Sequence, residues 1–228
     1  MNAYLSGAVI AGAYLLGGIP SSYYLGRWKR GIDIRRYGTG NIGISNVATF
    51  VGKKAVVPLV FFDIFIKGML PVVIASGKVL DLGLEIEVAA GFAAIVGHNW
   101  PVWLRFSGGR GMATVLGVVA ALNWPLVVLY GSVAGIGWLL TRSSAVWWGI
   151  AALMMPVWTV VLRQPLEVTF FALGFLAVVA VKRLTSNRTT PGAAPEQRVG
   201  LGRLLWNRLV LDRDIASRED WVYRRPGA

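Results

Sequence analysis

The chain alternates between long apolar runs and short polar connections, a pattern typical of a polytopic membrane protein. The runs contain few charged residues, and their ends are marked by Gly, Pro, Asn or basic residues. Several are shorter than the roughly 20 residues that cross a hydrocarbon core without tilt. The pattern predicts an all-α fold with about seven transmembrane helices, at residues 3–25, 55–76, 86–104, 111–124, 126–140, 145–162 and 168–181.

The composition agrees with this pattern. Hydrophobic residues make up 55% of the 228 residues, charged residues make up 15%, and the mean hydropathy is +0.59. A soluble domain usually carries about 25% charged residues, so we expect the bilayer to be the solvent. The first seventeen residues contain no Lys or Arg, so we expect no cleaved signal peptide. The absence of Cys excludes disulfides, thiolate nucleophiles and metal sites with Cys ligands.

The net charge of +12 is distributed unevenly over the connections. Positive residues concentrate in alternate connections, and the positive-inside rule places such connections in the cytoplasm. With seven spans, this predicts an N-terminus outside and a C-terminus inside. No aromatic and basic motif for nucleic acid is visible, so we expect these charges to meet anionic lipid head groups. They are Arg27, Lys29, Arg30, Arg35, Arg36, Lys53 and Lys54, then Arg105 and Arg110, then Arg142, and finally Lys182, Arg183 and Arg188.

The composition changes near residue 185, which predicts a transmembrane domain at 1–184 and a cytoplasmic extension at 185–228. The extension opens with a polar linker containing Pro and Gly. A short amphipathic helix then follows, either packed on the domain or lying in the membrane interface. We assign it no chemistry. Its apolar stripe consists of Leu201, Leu204, Leu205 and Leu209.

Three stretches carry candidate chemistry, and the first is "DIRRYGTGNIGISN" at residues 33–46. Its glycines permit backbone conformations in which consecutive N–H groups converge on an anion. The alternative is a tight re-entrant turn whose glycines only allow close packing. The candidate anion-binding residues are Gly38, Gly40 and Gly43, with neutral donors from Thr39, Asn41, Ser45 and Asn46 and positive charge from Arg35 and Arg36.

The second stretch is "GHNWPVWLRFSGGRGMAT" at residues 97–114, which contains His98, the only histidine in the chain. Arg110 lies between Gly109 and Gly111, close to the start of the next apolar run. A helix N-terminus is a favourable place for a phosphate. His98 is predicted to be a catalytic residue that shares this loop with Arg110. The alternative is that the imidazole only caps the end of a span.

The third stretch lies inside the second apolar run, where Asp63 and Lys67 are four residues apart. Residues at this spacing share a helix face and can form an ion pair. Charges within a span are costly, and they usually face the protein interior or a polar cavity. A structural ion pair is therefore favoured over direct catalysis.

Four segments in register resemble the bacterial acyl-phosphate:glycerol-3-phosphate acyltransferases. They are "GGIPSSYYLGR", "GIDIRRYGTGNIGISNV", "DIFIKG" and "GHNWPVWLRFSGGRGMATVLG". The resemblance implies seven transmembrane helices with motif loops at the cytoplasmic face of the bacterial inner membrane. It also implies that the 1-hydroxyl of glycerol 3-phosphate attacks an acyl phosphate, giving lysophosphatidate and phosphate. Acyl phosphate, glycerol 3-phosphate and membrane lipid are the expected partners, with no metal or other cofactor.

The resemblance carries over position by position. Thr39 stands in place of a serine, Ser45 in place of a threonine and Arg110 in place of a lysine. Thr49 stands in place of an arginine, so one positive charge is missing. Arg183 and Asn187 keep the spacing of a third family motif. The residues that match directly are Asn41, Gly43, Asn46, His98, Gly108, Gly109 and Gly111.

The expected roles follow from this resemblance together with the residue types. Thr39, Arg110 and the backbone N–H groups of 38–41 and 108–111 would hold phosphates. His98 would orient a phosphate or the attacking hydroxyl, or relay its proton. Ser45, Asn46 and Asn187 would bind glycerol phosphate, and Asp63 and Lys67 would support the helices below the site.

Two other classes of function stay open at this point. One is an organic-anion transporter with Asp63 and Lys67 at its midplane, although no inverted repeat is evident. The other is an acyltransferase-like homologue with an altered acceptor, or a non-catalytic one that binds anionic lipid or a partner protein. Thr49 is the residue that favours this second class.

Overall fold

The apolar runs fold as helices in a computed structural model that describes residues 3–186 and 200–223. Short 3-10 turns occur at Ile34–Arg36, Lys53–Ala55 and Val102–Leu104, and π-helical turns at Phe62–Met69 and Asn207–Leu211. The described residues contain no β-strand. The α-helices are α1 (Ala3–Gly17), α2 (Ser21–Arg30), α3 (Ile44–Phe50), α4 (Val56–Phe61), α5 (Leu70–Ala75), α6 (Leu84–Asn99), α7 (Met112–Leu122), α8 (Trp124–Thr141), α9 (Ser144–Val161), α10 (Leu166–Ser186), α11 (Leu201–Trp206) and α12 (Arg218–Val222).

The predicted all-helical membrane fold is confirmed. Five helical stretches in the described residues are long and apolar enough to cross a membrane: Ala3–Arg30, Lys53–Ala75, Trp124–Thr141, Ser144–Val161 and Leu166–Thr185. The apolar helix α7 has 11 residues and α6 has 16, so these two are shorter. Large apolar side chains such as Phe61, Val160 and Phe170 are exposed, as expected where lipid replaces water around a helix bundle.

Proline accounts for two differences from the predicted helix ends. The first span was predicted to run unbroken to residue 25, but α1 ends at Gly17 and α2 begins after Pro20. The third span was predicted to reach residue 104, but α6 ends at Asn99, two residues before Pro101. Proline lacks a backbone N–H and restricts the residue before it, so it favours a helix boundary.

Small residues allow the helices to cross closely, as is common in membranes. Gly17 of α1 faces the backbone of Ala94 in α6 so closely that a Cβ atom would overlap it. Gly68 of the π-helical turn and Gly117 of α7 make the same kind of backbone approach to each other's segments. These crossings hold the α1, α6, α7 and π-helical segments together around the polar residues described below.

Several connections between helices meet at two ends of the bundle. At one end, Arg183 near the end of α10 donates to the carbonyl of Ala145 at the start of α9, and Lys182 donates to the carbonyl of Asn99 at the end of α6. At the other end, Asn123 donates to Gln164, joining the α7–α8 and α9–α10 connections. The positively charged connections around residues 99, 143 and 183 therefore share one end, which we call the basic end.

The C-terminal segment, residues 200–223, packs against the basic end. The Arg183 Nη1 donates to the carbonyl of Leu209 at 2.6 Å, and the Arg208 Nη1 donates to the carbonyl of Leu184 at 2.9 Å. The predicted short helix is present as α11 and the π-helical turn that follows it. Three of its apolar side chains, Leu201, Leu205 and Leu209, are exposed, so the segment contacts the domain through its opposite face.

Candidate active site

The first glycine loop, residues 33–46, is shaped by backbone and side-chain hydrogen bonds. Asp33 accepts bonds from the backbone N–H and Nε of Arg35 at 3.1 and 3.0 Å, and from its Nη2 at 2.7 Å. The Arg35 side chain thereby holds the pKa of Asp33 below its ordinary value, and the same bonds raise the pKa of Arg35. Gly38 and Gly40 have φ angles of +50° and +68°, which favour glycine. The Arg35 charge at this loop is therefore already paired with a carboxylate.

Asn46 lies at the centre of this loop and holds it together. Its buried Nδ2 lies within 3.1 Å of the carbonyl oxygens of Ile34, Tyr37 and Asn41. Within the described residues, the buried Oδ1 atoms of Asn41 and Asn46 accept no hydrogen bond. The amide nitrogen of Asn46 is thus committed to the loop backbone, while its oxygen is the atom with acceptor capacity left.

The other polar residues of the loop are closer to the surface. The Thr39 hydroxyl accepts a long bond of 3.4 Å from the Asn41 N–H. Ser45 is exposed, and its carbonyl accepts the Thr49 hydroxyl at 3.0 Å. Thr49, where the family resemblance led us to expect an arginine, therefore bonds within its own helix.

The second glycine loop, residues 97–111, is built around His98. The buried imidazole sits in the last turn of α6 with its Nδ1 at 3.2 Å from the Thr114 hydroxyl of α7. The Gly109 N–H donates to the His98 carbonyl at 3.0 Å. A Cβ atom on Gly109 would overlap the His98 ring at Nε2, and one on Gly108 would overlap the His98 carbonyl. Glycine is required at both positions because the loop backbone lies directly against the histidine.

Arg110 follows these glycines and lies two residues before the start of α7, as predicted. Its Nε donates to both carboxylate oxygens of Asp212, at 2.7 and 2.5 Å. The two side chains are 11% and 18% exposed. The C-terminal segment thus supplies a carboxylate to the arginine that the sequence predicted as a phosphate ligand.

Two more cations at the end of α10 complete this cluster. Lys182 is buried, donates to the Asn99 carbonyl at 2.5 Å and lies 5.2 Å from the centre of the Trp100 ring. Arg183 is also buried, next to Gly149 of α9. Both lie within electrostatic range of Arg110 and Asp212. The basic end therefore concentrates three cations around one carboxylate, and of these Lys182 lies within electrostatic range of His98.

The predicted ion pair in the second span is confirmed. Lys67 Nζ lies 2.7 Å from Asp63 Oδ1, and both side chains are 3% exposed. Lys67 also donates to the Ser21 hydroxyl at 3.1 Å. The segment is π-helical rather than α-helical, a rare geometry that occurs as short insertions in α-helices and is frequent at functional sites. Both charges lie within electrostatic range of His98.

The structure links the two glycine loops in two ways. Leu104 of the second loop packs in one buried cluster with Ile42 of the first. The C-terminal segment also spans them, because Asp212 contacts Arg110 while the Val222 carbonyl lies 2.6 Å from the place a Cβ would occupy on Gly38. Of the predicted site residues, Asn187 lies outside the described residues.

Four residues of this cluster were not among the predicted site residues. From the sequence, Lys182 contributed only to the charge pattern, and Arg183 contributed to that pattern and to the spacing of a family motif. Ser21 gave no signal beyond its place in "GGIPSSYYLGR". Asp212 lies in the extension to which we assigned no chemistry. The spacing between Arg110 and Asp212 in the chain is 102 residues, and no local pattern reveals a contact of that separation.

Comparison with known proteins identifies the family. The family model described as glycerol-3-phosphate acyltransferase matches residues 7–190. "Glycerol-3-phosphate acyltransferase 4" of Dehalococcoides mccartyi is 38% identical over 229 residues, covering 96% of this chain and 94% of that protein. The glycerol-3-phosphate acyltransferase of Gloeobacter violaceus is 35% identical over 201 residues, covering 86% and 97%.

Two crystal structures share the fold, both of PlsY (YgiH), an integral membrane glycerol 3-phosphate acyltransferase. The glycerol 3-phosphate form superposes with a TM-score of 0.73 at 31% identity, covering 78% of this chain and 88% of that one. The lysphosphatidic acid form gives a TM-score of 0.70 at 30% identity, covering 78% and 87%. Residues 200–223 lie beyond the stretch that the family model matches.

Proposed function

Because this chain belongs to the glycerol-3-phosphate acyltransferase family and is an integral membrane acyltransferase, we propose that its acyl donor is an acyl phosphate. The acyl group goes to the 1-hydroxyl of glycerol 3-phosphate, giving lysophosphatidate and inorganic phosphate. The observation that carries this proposal is the cluster of His98, Arg110 and Lys182 around a glycine backbone at the basic end.

The cluster suits a reaction between two phosphate compounds. An acyl phosphate is a mixed anhydride, so its carbonyl is already activated and needs no covalent enzyme intermediate. What the reaction needs is the two substrates held close together and the charge on the leaving phosphate stabilised. Arg110, Lys182 and the loop at residues 108–111 would supply this stabilisation, apart from the Gly109 N–H, which donates to the His98 carbonyl. Thr39 would serve the other phosphate, whereas the N–H groups of Gly40 and Asn41 already donate to the Tyr37 carbonyl and the Thr39 hydroxyl.

We assign the proton transfer to His98. The hydroxyl oxygen of glycerol 3-phosphate attacks the carbonyl carbon, the bond from that carbon to the phosphate oxygen breaks, and the hydroxyl proton passes to the imidazole or to the departing phosphate. Thr114 adjoins Nδ1, so Nε2 is the ring nitrogen that faces the glycine loop. Proton transfer of this kind typically contributes about 10²- to 10⁴-fold to the rate.

The first glycine loop, residues 33–46, would bind the glycerol part of the substrate. The Oδ1 atoms of Asn41 and Asn46 are its buried acceptors, and they suit the hydroxyl groups of glycerol phosphate. Ser45 and Asn187 would add further contacts. Asp63 and Lys67 would hold the neighbouring helices in place rather than touch the substrate. The acyl chain would lie between helices, where lipid-facing side chains surround it.

The proposed setting is the bacterial inner membrane with seven spans. The five long helices would be joined by α6 and α7 as shorter spans, which a tilted helix or a locally thinner bilayer can accommodate. The positive-inside rule then places the basic end in the cytoplasm, where both phosphate substrates are available. The N-terminus would lie outside and the C-terminus inside.

The test uses purified full-length protein and radiolabelled glycerol 3-phosphate, with palmitoyl phosphate or palmitoyl-CoA as donor. We expect labelled lysophosphatidate from palmitoyl phosphate alone. Product only from palmitoyl-CoA would replace the proposed donor. If neither donor gave product in protein that unfolds in one cooperative transition, the result would instead favour a homologue with an altered acceptor or no activity.

A further inference from the structure

The carboxylate of Asp212 contacts the Nε of Arg110, the arginine that the proposed reaction needs. Both of its oxygens lie within 2.7 Å of Arg110 Nε, and both side chains are largely buried. Asp212 has a φ of +56°, a left-handed conformation that a non-glycine residue seldom adopts. The backbone therefore turns sharply at the residue that contacts Arg110.

The segment that carries Asp212 is fastened on both sides of this contact. Before it, Arg183 and Arg208 bond the segment to the end of α10. After it, Arg208 pairs with Asp214 at 2.8 Å, and the buried Trp221 precedes the Val222 carbonyl at Gly38. Asp212 is thus held at a defined place between the two glycine loops, and its contact with Arg110 is part of a folded structure.

A carboxylate and a phosphate bind arginine through the same chemistry, charge-assisted hydrogen bonds from N–H groups to anionic oxygens. A substrate phosphate and Asp212 cannot both use the Arg110 Nε. We propose that Asp212 is a built-in competitor for the phosphate site, which holds Arg110 until a substrate phosphate displaces it. This inference rests on the proposed function of Arg110 as a phosphate ligand.

The competition has a predictable effect on affinity. When only a fraction of the molecules has Arg110 available, the apparent dissociation constant rises by the inverse of that fraction. If about one molecule in ten is open, apparent affinity falls about tenfold. Asp212 therefore raises the concentration of phosphate substrate needed for half-saturation. It also favours release of the phosphate product, because the carboxylate returns to Arg110.

The test is the replacement Asp212→Asn in the full-length protein. We expect the dissociation constants of inorganic phosphate and glycerol 3-phosphate, measured by calorimetry, to fall about tenfold. The KM for the phosphate substrates should fall with them, while kcat stays within about twofold or decreases as product release slows. Asp220→Asn is the matched control, because it makes the same change of charge at an exposed side chain of the same segment.

Unchanged or weaker phosphate binding by Asp212→Asn would overturn the proposal and would mean that Asp212 only positions Arg110. Asp212→Ala provides a second removal of the carboxylate if the first variant has an altered unfolding transition, and Asp212→Glu should restore the weaker binding. The binding measurement needs no turnover. Tighter phosphate binding by an inactive protein would support the competition while contradicting the proposed acyl transfer.

Discussion

Gly109 gives the most direct test of His98 at the level of one residue. Replacing it with alanine would put a methyl group where the His98 ring now lies, and the ring or the loop must move. Because a displacement of about 1 Å at a reacting group can cost about 100-fold in rate, we expect Gly109→Ala to lose about that much kcat/KM. The measurement is the rate of lysophosphatidate formation.

Gly135→Ala is the control for this variant, because no heavy atom lies within 4 Å of the Cβ position at Gly135 in α8. It should keep wild-type turnover, with an unfolding midpoint that is unchanged or slightly raised, since alanine favours the helix over glycine. Full activity in Gly109→Ala would mean that the position of His98 does not matter for the reaction.

Asp33 makes the stability of the first loop depend on pH. Its folded-state pKa is lowered by the hydrogen bonds from Arg35, so its contribution to stability is present above the ordinary Asp pKa of about 3.9 and is lost as the pH falls through the lowered value. We expect the wild type to unfold at higher temperature than Asp33→Asn at pH 7, and the difference to shrink towards pH 3. An equal difference at pH 7 and pH 3 would exclude this pair as its cause.

Contacts between residues that are close in the sequence were predictable. Contacts between residues that only the fold brings together were not. The proximity of His98, the glycines and Arg110 follows from one 18-residue stretch. The pairing of Asp63 with Lys67 follows from their spacing. The contacts of Lys182 with Asn99 and of Asp212 with Arg110 join distant parts of the chain, and only tertiary packing determines them.

The buried ion pair between Asp63 and Lys67 contributes to the stability of the second span. Removing one partner of such a pair leaves an uncompensated charge and costs about 3–5 kcal/mol. We expect Asp63→Asn to lower the free energy of unfolding in detergent by that amount, because Lys67 stays buried in its span. The double variant Asp63→Asn with Lys67→Met should recover most of the loss. A single variant as stable as the wild type would show that water or another group compensates Lys67.

The helical part of the C-terminal segment has an exposed apolar face. We expect Leu201, Leu205 and Leu209 to lie in the membrane interface, since the segment adjoins the end of a spanning helix. The chain has no cysteine, so Leu205→Cys provides a single labelling site for a fluorophore in vesicles.

Nitroxide-bearing lipids should quench a label at position 205 and leave one at the exposed position 219 much less affected. A water-soluble quencher should show the opposite order. A label at 205 that only the aqueous quencher reaches would mean that the apolar face lies away from the membrane.

The chemistry of proline accounts for two helix ends, whereas nothing in the local sequence indicates the π-helical turn. The breaks at Pro20 and Pro101 follow from the chemistry of proline, although the apolar run alone suggested continuous spans. The residue types of the π-helical turn at Phe62–Met69 do not distinguish it from an α-helix. It lies where Gly68 and Gly117 allow two helices to cross closely, a contact between distant segments that the local sequence does not show.

At the scale of the whole molecule, the alternation of charge predicted that the connections near residues 99, 143 and 183 lie on one side of the membrane. The structure brings the connections near residues 99, 143 and 183 together at one end and the Asn123 and Gln164 connections together at the other. The sequence left open whether the C-terminal helix packs on the domain or lies in the membrane interface, and in the structure the segment packs against the basic end. Its helix was predictable from its apolar stripe, but its place depends on Arg183 and Arg208, whose partners are backbone carbonyls of other segments.

We propose that the basic end transfers an acyl group from acyl phosphate to glycerol 3-phosphate. The measurement that tests it most directly is the simultaneous release of inorganic phosphate and formation of lysophosphatidate by purified protein supplied with both substrates. We predict one phosphate for each lysophosphatidate, with both lost in His98→Ala. Phosphate release without lysophosphatidate, or lysophosphatidate without phosphate, would contradict the account.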